Sequence, residues 1–134
     1  MVNVLLPVDG SIRSIKSCEF IIDHLNSDKY TVYILHIMPS GGSITEAKKF
    51  VENAKRKLLD AGVKDVHTKI VESIEEPAEE ILREAKKIKA DIIIISAYGV
   101  HKGEDSSKIG SVAELVVNNS VCPVIIVKPL SEEK

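Results

Sequence analysis

Short apolar runs rich in β-branched residues recur along the chain at roughly regular intervals. Runs of this length, bounded by glycine, proline or polar residues, are typical of strands whose two faces are both buried. The first run ends at Asp9-Gly10 and the second ends at Pro39, and both endings favour a turn. The pattern predicts five strands, over residues 2–8, 31–38, 66–71, 92–96 and 123–127.

The segments between these runs carry apolar residues at helical spacing. In the clearest case, the apolar residues of 47–58 fall on one face, and Gly62 can end the helix. Pro77 suits the first turn of a helix, where its missing N–H costs nothing. We predict four helices, which begin near Ser11, Ser43, Pro77 and Ser111.

This regular alternation of strands and helices predicts an α/β fold. Successive βαβ units give a doubly wound five-stranded parallel sheet with helices on both faces. We expect residues 1–130 to form a single domain and residues 131–134 to be a polar tail. In such folds ligands bind beyond the carboxyl ends of the strands, where the strand order reverses.

Composition changes this picture little. The 134 residues are 44% hydrophobic and 28% charged, with a net charge of -2, so nothing general favours nucleic acid or an anionic membrane as partner. The first residues lack the basic segment of a secretory signal, and we expect a cytoplasmic protein. Cys18 and Cys122 lie far apart in apolar surroundings, so we expect two buried, reduced thiols.

Two loops at the carboxyl ends of strands are candidates for a binding site. One covers residues 8–11, and the other covers residues 96–111 and contains Gly99, Gly103 and Gly110. Glycines let backbone N–H groups approach a phosphate, and the helix that Ser111 opens adds unpaired donors and a partial positive charge. The alternative, that these are turn glycines and Ser111 only caps its helix, remains open on spacing alone.

Five segments in this order resemble the universal stress protein family. They are VLLPVDGS at 4–11, LHI at 35–37, ADIIII at 90–95, GSVAE at 110–114 and VCPVIIV at 121–127. The resemblance covers nearly the whole chain. It implies the strand order 3-2-1-4-5 and binding of ATP or a related adenine nucleotide, with or without Mg²⁺.

The resemblance also implies individual site residues. ATP-binding members carry Gly, two residues, Gly, nine residues, and then Gly with Ser or Thr. Here Ser96 stands at the first glycine position, and ten residues separate Gly99 from Gly110. By position, the adenosine half would meet Pro7 and Asp9, the adenine ring would meet Ile37, and the phosphates would meet Ser96, Gly99, Gly110, Ser111 and the backbone of Val112.

The implied function is a stress-response switch that binds ATP and hydrolyses it slowly at most. No residue is placed to activate water, and no Walker lysine is present. The four histidines are scattered, and we expect His36, within an apolar strand, to be a satisfied core histidine rather than a base. A receiver domain is the rival family, but no Asp follows the third strand to accept a phosphoryl group. The alternative within the family is a dimeric interaction protein that binds no nucleotide.

The fifth strand predicts an assembly. In the implied order the third and fifth strands are the sheet edges, and exposed edges pair unless charge protects them. The third strand has His67 and Lys69, whereas the fifth has no charge before Lys128. We therefore expect a homodimer through Val124, Ile125, Ile126 and Val127.

Overall fold

The fold was determined as a computed structural model, which describes residues 1–25, 28–97 and 110–128. Strands and helices alternate along these residues. In chain order they are β1 Val2–Pro7, α1 Ile12–His24, β2 Tyr30–Pro39, α2 Ile44–Asp60, β3 Asp65–Ser73, α3 Pro77–Ile88, β4 Ile92–Ser96, α4 Ser111–Asn119 and β5 Val124–Val127.

The five strands form one parallel sheet in the order β3-β2-β1-β4-β5. This order and the alternation of elements confirm the predicted doubly wound fold. The chain adds β2 and β3 on one side of β1, and β4 and β5 on the other, so the strand order reverses between β1 and β4. A crevice is expected at that point, at the carboxyl ends of the two strands.

Alternate residues of the central strands build two cores, one on each face of the sheet. Val4 and Leu6 of β1 pack with the buried faces of α1 and α2. Leu5 lies between them in sequence and packs on the opposite face, with α3 and α4. Burial on both faces explains why the central strands are continuous apolar runs rather than alternating patterns. No helix among the described residues is long and apolar enough to cross a bilayer.

β2 and β3, which are neighbours at one edge of the sheet, are longer than the apolar runs that predicted them. β2 begins at Tyr30 and β3 extends from Asp65 to Ser73, because pairing continues into polar residues. The hydroxyl of Thr31 donates to the Asp65 carboxylate at 2.9 Å, which ties the start of the two strands together. Polar strand ends of this kind leave no apolar signal in the sequence.

The expectation for the cysteines was half correct. Cys18 is fully buried in the core between α1 and the sheet. Cys122 is only half-buried, because it lies in the turn before β5, where the hydroxyl of Ser120 accepts from its backbone N–H at 3.1 Å. The two thiols therefore differ in exposure.

Candidate functional site

A cavity of about 420 Å³ opens at the carboxyl ends of β1, β2 and β4. Its volume lies within the range typical of small-molecule sites. Six segments of the described part of the chain contribute to its walls. The lining residues are Pro7, Val8, Asp9, Leu35, His36, Ile37, Pro39, Phe50, Pro77, Ile81, Ile95, Ser96, Ala97, Gly110, Val112 and Ala113.

Two hydrogen bonds of Val8, one through its N–H and one through its carbonyl, hold the loop after β1 against β2. The N–H of Val8 donates to the carbonyl of Leu35 at 2.8 Å, and the carbonyl of Val8 accepts from Nδ1 of His36 at 2.8 Å. The next residue, Asp9, accepts from the N–H of Ser11 through Oδ1 at 2.9 Å. The backbone and one carboxylate oxygen of this loop are thus fixed before any ligand is present.

The side chain of Phe50 in α2 packs against this loop. Its ring lies beside Gly10, which has φ +84°. It also meets the imidazole of His36 edge to face, with ring centroids 5.1 Å apart. One aromatic side chain therefore packs against both the turn that carries Asp9 and the histidine that bonds to Val8.

A second wall is the amino-terminal turn of α4. Gly110 is the N-cap, and no side chain among the described residues caps this helix end. The N–H of Gly110 donates to the carbonyl of Ala97, which ties the helix start to the end of β4. Val112 and Ala113 line the cavity, while Ser111 is the exposed first helical residue. The alternative that Ser111 caps the helix was therefore wrong: Gly110 occupies that position, and it has no side chain to accept from the helix.

The third wall comes from α3, through Pro77 and Ile81. An ion pair and a hydrogen bond from a hydroxyl hold this helix to β3. Lys69 donates to the buried Glu84 at 2.9 Å, and this hydrogen bond raises the pKa of Lys69. The hydroxyl of Ser73 donates to Glu80 at 2.8 Å and is the main cause of the lowered pKa of that carboxyl.

The lining is mostly apolar, with polar groups concentrated at two places. Asp9 is the one carboxylate among the described lining residues, and His36 is their one imidazole. Neither lysine nor arginine lines the described part of the cavity. Three or more metal-ligating side chains do not come together anywhere in the described residues. The cavity can therefore hold a flat, apolar group, offer it an acceptor at Asp9, and present backbone donors of α4 to an anion.

The structure brings together most of the residues named from the sequence. Six of them line this one cavity: Pro7, Asp9, Ile37, Ser96, Gly110 and Val112. Ser111 adjoins it without lining it, and Gly99 lies outside the described residues. The sequence did not indicate Phe50, Pro77 or Ile81, which reach the cavity from helices through tertiary packing. His36 was expected to be a satisfied core histidine, and its bond to Val8 confirms this, but its place in the cavity wall was not foreseen.

Comparison with known proteins agrees with this geometry. The sequence profile of the universal stress protein family matches residues 1–128. Universal stress protein MJ0531 of Methanocaldococcus jannaschii is 30% identical over 147 aligned positions, which cover 98% of this chain and 84% of that protein.

Two solved structures share the fold over nearly their full length. The hypothetical protein MJ0577 superposes with a TM-score of 0.82 at 28% identity, covering 97% of each chain. The universal stress protein of Archaeoglobus fulgidus, solved in complex with dAMP, superposes with a TM-score of 0.73 at 25% identity, covering 96% of this chain and 98% of that one. Since the profile spans residues 1–128 and the strand order is the one that the resemblance implied, this chain belongs to the universal stress protein family.

Proposed function

We propose that the cavity binds an adenine nucleotide, with ATP as the principal ligand, and that the protein acts as a regulatory switch in a stress response. One observation carries this proposal. A single cavity of about 420 Å³ is lined by an apolar strand end, by a carboxylate and by the first turn of a helix whose N-cap, Gly110, has no side chain. These are the three surfaces that a base, a ribose and a phosphate require.

The adenosine half would occupy the end of the cavity formed by β1 and β2. Ile37 supplies apolar surface for the adenine ring, and Pro7 adds to it. Asp9 is a carboxylate, so it accepts hydrogen bonds and repels phosphate. A ribose hydroxyl or the adenine amino group can donate to it, and we assign Asp9 to one of these donors.

The phosphates would lie at the start of α4. Backbone N–H groups of the first helical turn, among them that of Val112, have no acceptor within the helix. They and the helix dipole favour an anion at Gly110 and Ser111, and we place Gly99 and Ser96 beside the same phosphates. Asp9 is the only carboxylate on the described wall, so Mg²⁺ would be held by phosphate oxygens and water rather than by a protein cage.

The complex of the Archaeoglobus fulgidus relative with dAMP supports an adenine nucleotide as the class of ligand.

We propose that any hydrolysis is slow. His36 bonds to Val8 through Nδ1, and burial of the ring limits the access of water to Nε2, which leaves Asp9 as the only other described lining group able to accept a proton from water. The assignment of Asp9 to a hydroxyl or amino donor occupies that group too.

We also propose that the protein is a homodimer through β5. β5 pairs with β4 on one side only, and its four residues are all half-buried within the single chain. Val121, in the turn before it, is 83% exposed. An antiparallel pairing of two β5 strands would satisfy the backbone groups of the open edge and cover this apolar surface.

The test of nucleotide binding uses the protein as purified and a matched Gly110→Val variant. Both proteins are incubated with excess ATP, desalted, denatured and analysed by mass spectrometry for released nucleotide. We expect adenine nucleotide from the wild type and little from the variant, since a β-branched side chain at the N-cap obstructs approach to the backbone donors. Gly110 has φ -66°, which any residue adopts, so the variant should fold. Equal nucleotide content in the two proteins, or none in the wild type, would overturn the proposal and leave the dimeric interaction protein as the function.

A further inference from the structure

We infer that His36 is a positioning residue for the nucleotide site and acts through the carbonyl of Val8 to hold Asp9 in place. This inference rests on the proposed function, because Asp9 is the side chain assigned there to the adenosine half. The role belongs to Nδ1 of the imidazole, and it requires no direct contact between His36 and the ligand.

The hydrogen bond fixes the tautomer of the ring. A carbonyl oxygen can only accept, so the nitrogen that lies 2.8 Å from the oxygen of Val8 carries the proton. His36 is only 6% exposed, so water cannot readily replace this donor. In the neutral ring, Nε2 is then an acceptor with no proton of its own.

The carbonyl of Val8 is the last backbone group held before the turn. β1 ends at Pro7, and beyond it Val8 has no strand partner. Its N–H bonds to Leu35 and its carbonyl bonds to His36, so two consecutive residues of β2 hold both backbone polar groups of Val8. Val8 is 5% exposed, so its carbonyl would lie buried and unpaired without the imidazole. Rotation of the adjoining peptide toward water would carry Asp9 with it.

Phe50 couples the histidine to the rest of the turn. Its ring meets the imidazole at an interplanar angle of 73° and also packs against Gly10, the residue after Asp9. The imidazole is therefore held on one side by the phenyl ring and at Nδ1 by the carbonyl. Asp9 lies between two anchored residues, and its remaining freedom is limited by the bond from the Ser11 N–H to Oδ1.

Three substitutions separate this role from a direct contact with the ligand. His36→Asn keeps an amide donor near the position of Nδ1, His36→Gln places its amide near the position of Nε2, and His36→Leu keeps bulk without a donor. His67→Asn is the matched control, because His67 lies on the neighbouring strand, is exposed, and is outside the cavity. Two quantities are measured: ATP affinity by calorimetry, and hydrogen exchange of the Ser11 amide in nucleotide-free protein.

We expect His36→Leu and His36→Gln to bind ATP about tenfold more weakly and to exchange the Ser11 amide faster, because a buried carbonyl has lost its donor. His36→Asn should restore most of both properties, and His67→Asn should change neither. Rescue by Gln instead of Asn would overturn the inference in favour of a contact through Nε2. Unchanged Ser11 exchange in His36→Leu and His36→Gln would also overturn it.

Failure of the proposed function gives a different result. If wild-type protein binds no ATP, that proposal falls, while Ser11 exchange still reports whether His36 positions the turn. If His36→Leu does not fold, the comparison of His36→Asn with His36→Gln tests the role of Nδ1 by itself. Long-range nitrogen NMR of the imidazole supplies a third readout, with the proton expected on Nδ1.

Discussion

The ring of Phe50 fills the space that a side chain on Gly10 would need. A Cβ atom at Gly10 would stand 2.6 Å from Cε2 and Cζ of the ring, closer than such contacts occur. Gly10 also has φ +84°, a conformation that side chains with a Cβ disfavour. The turn that presents Asp9 to the cavity therefore requires glycine for two independent reasons.

Gly10→Ala should destabilise the protein more than Gly41→Ala does. Gly41 has nearly the same backbone conformation, φ +83°, but nothing lies within 4 Å of a Cβ there. Backbone strain alone should cost about 1 kcal/mol at Gly41, and displacement of Phe50 should bring the loss at Gly10 to about 3 kcal/mol. Urea unfolding of the two variants measures the difference, and equal losses would show that Phe50 yields without cost.

Two substitutions of Asp9 separate the contribution of its charge to nucleotide binding from the contribution of its acceptor atoms. Asp9→Ala should weaken binding of ATP and of adenosine by a similar factor, about tenfold, because the lost contact lies in the shared half of the two ligands. Asp9→Asn keeps an oxygen for the Ser11 N–H and should show a smaller loss for both ligands. Calorimetric titration with each ligand checks this. A loss confined to ATP would place Asp9 near the phosphates and contradict the assignment.

Most of the fold could be predicted because the strands are short apolar runs with clear turn signals between them. The predicted bounds of the third strand were too narrow, because its pairing extends into polar residues at Asp65 and Ser73. A ladder of backbone hydrogen bonds leaves no trace in the polarity of the side chains. The strand order itself came from the family resemblance, because no pattern in one strand identifies its neighbours.

The site could be predicted only in part for a related reason. Residues at strand ends and at a helix start, such as Asp9 and Gly110, are marked by their place in a local pattern. Phe50 and Ile81 look like ordinary core positions of amphipathic helices, and only packing of those helices on the sheet brings them to the cavity. His36 could be recognised as buried, but its partner, the carbonyl of Val8, is 28 residues away in sequence.

The buried thiol of Cys18 should make stability depend on pH in the alkaline range. Burial raises its pKa from 9.0 to about 11, so the folded protein keeps the thiol protonated where the unfolded chain ionises. The stabilisation is complete below pH 9 and is lost as pH rises toward 11, by about 2 to 3 kcal/mol in the free energy of unfolding.

Urea unfolding at several pH values checks this against a Cys18→Ala variant, which lacks the thiol. Other alkaline titrations are common to both proteins, so the difference between the two curves reports Cys18. Cys122→Ala, which removes the half-buried thiol in the turn before β5, is the matched control for the loss of a thiol as such. Parallel curves for the wild type and Cys18→Ala would contradict the prediction.

The proposed dimer predicts different responses at the two edges of the sheet. Ile126→Lys places a charge on the open edge of β5 and should give monomer or aggregate. Ile126→Pro should do the same by removing a backbone donor from that edge, because Pro123 and Val127 face β4 and the residues between alternate. His67→Lys, on the opposite edge strand, should leave the dimer intact because that residue is already exposed and polar. Sedimentation velocity at micromolar concentration measures the outcome. A monomeric wild type would rule out the dimer, and intact dimers in both β5 variants would place the interface elsewhere.

The central claim is that this cavity binds an adenine nucleotide, and calorimetric titration of nucleotide-free wild-type protein with ATP tests it most directly. The proposal predicts saturable binding at one site per chain, displacement of ATP by adenosine, and much weaker binding of ATP to Gly110→Val. GTP provides the matched ligand, since guanine carries a carbonyl where adenine carries the amino group. Absence of saturable binding at millimolar ATP, or the same affinity in Gly110→Val, would contradict the account.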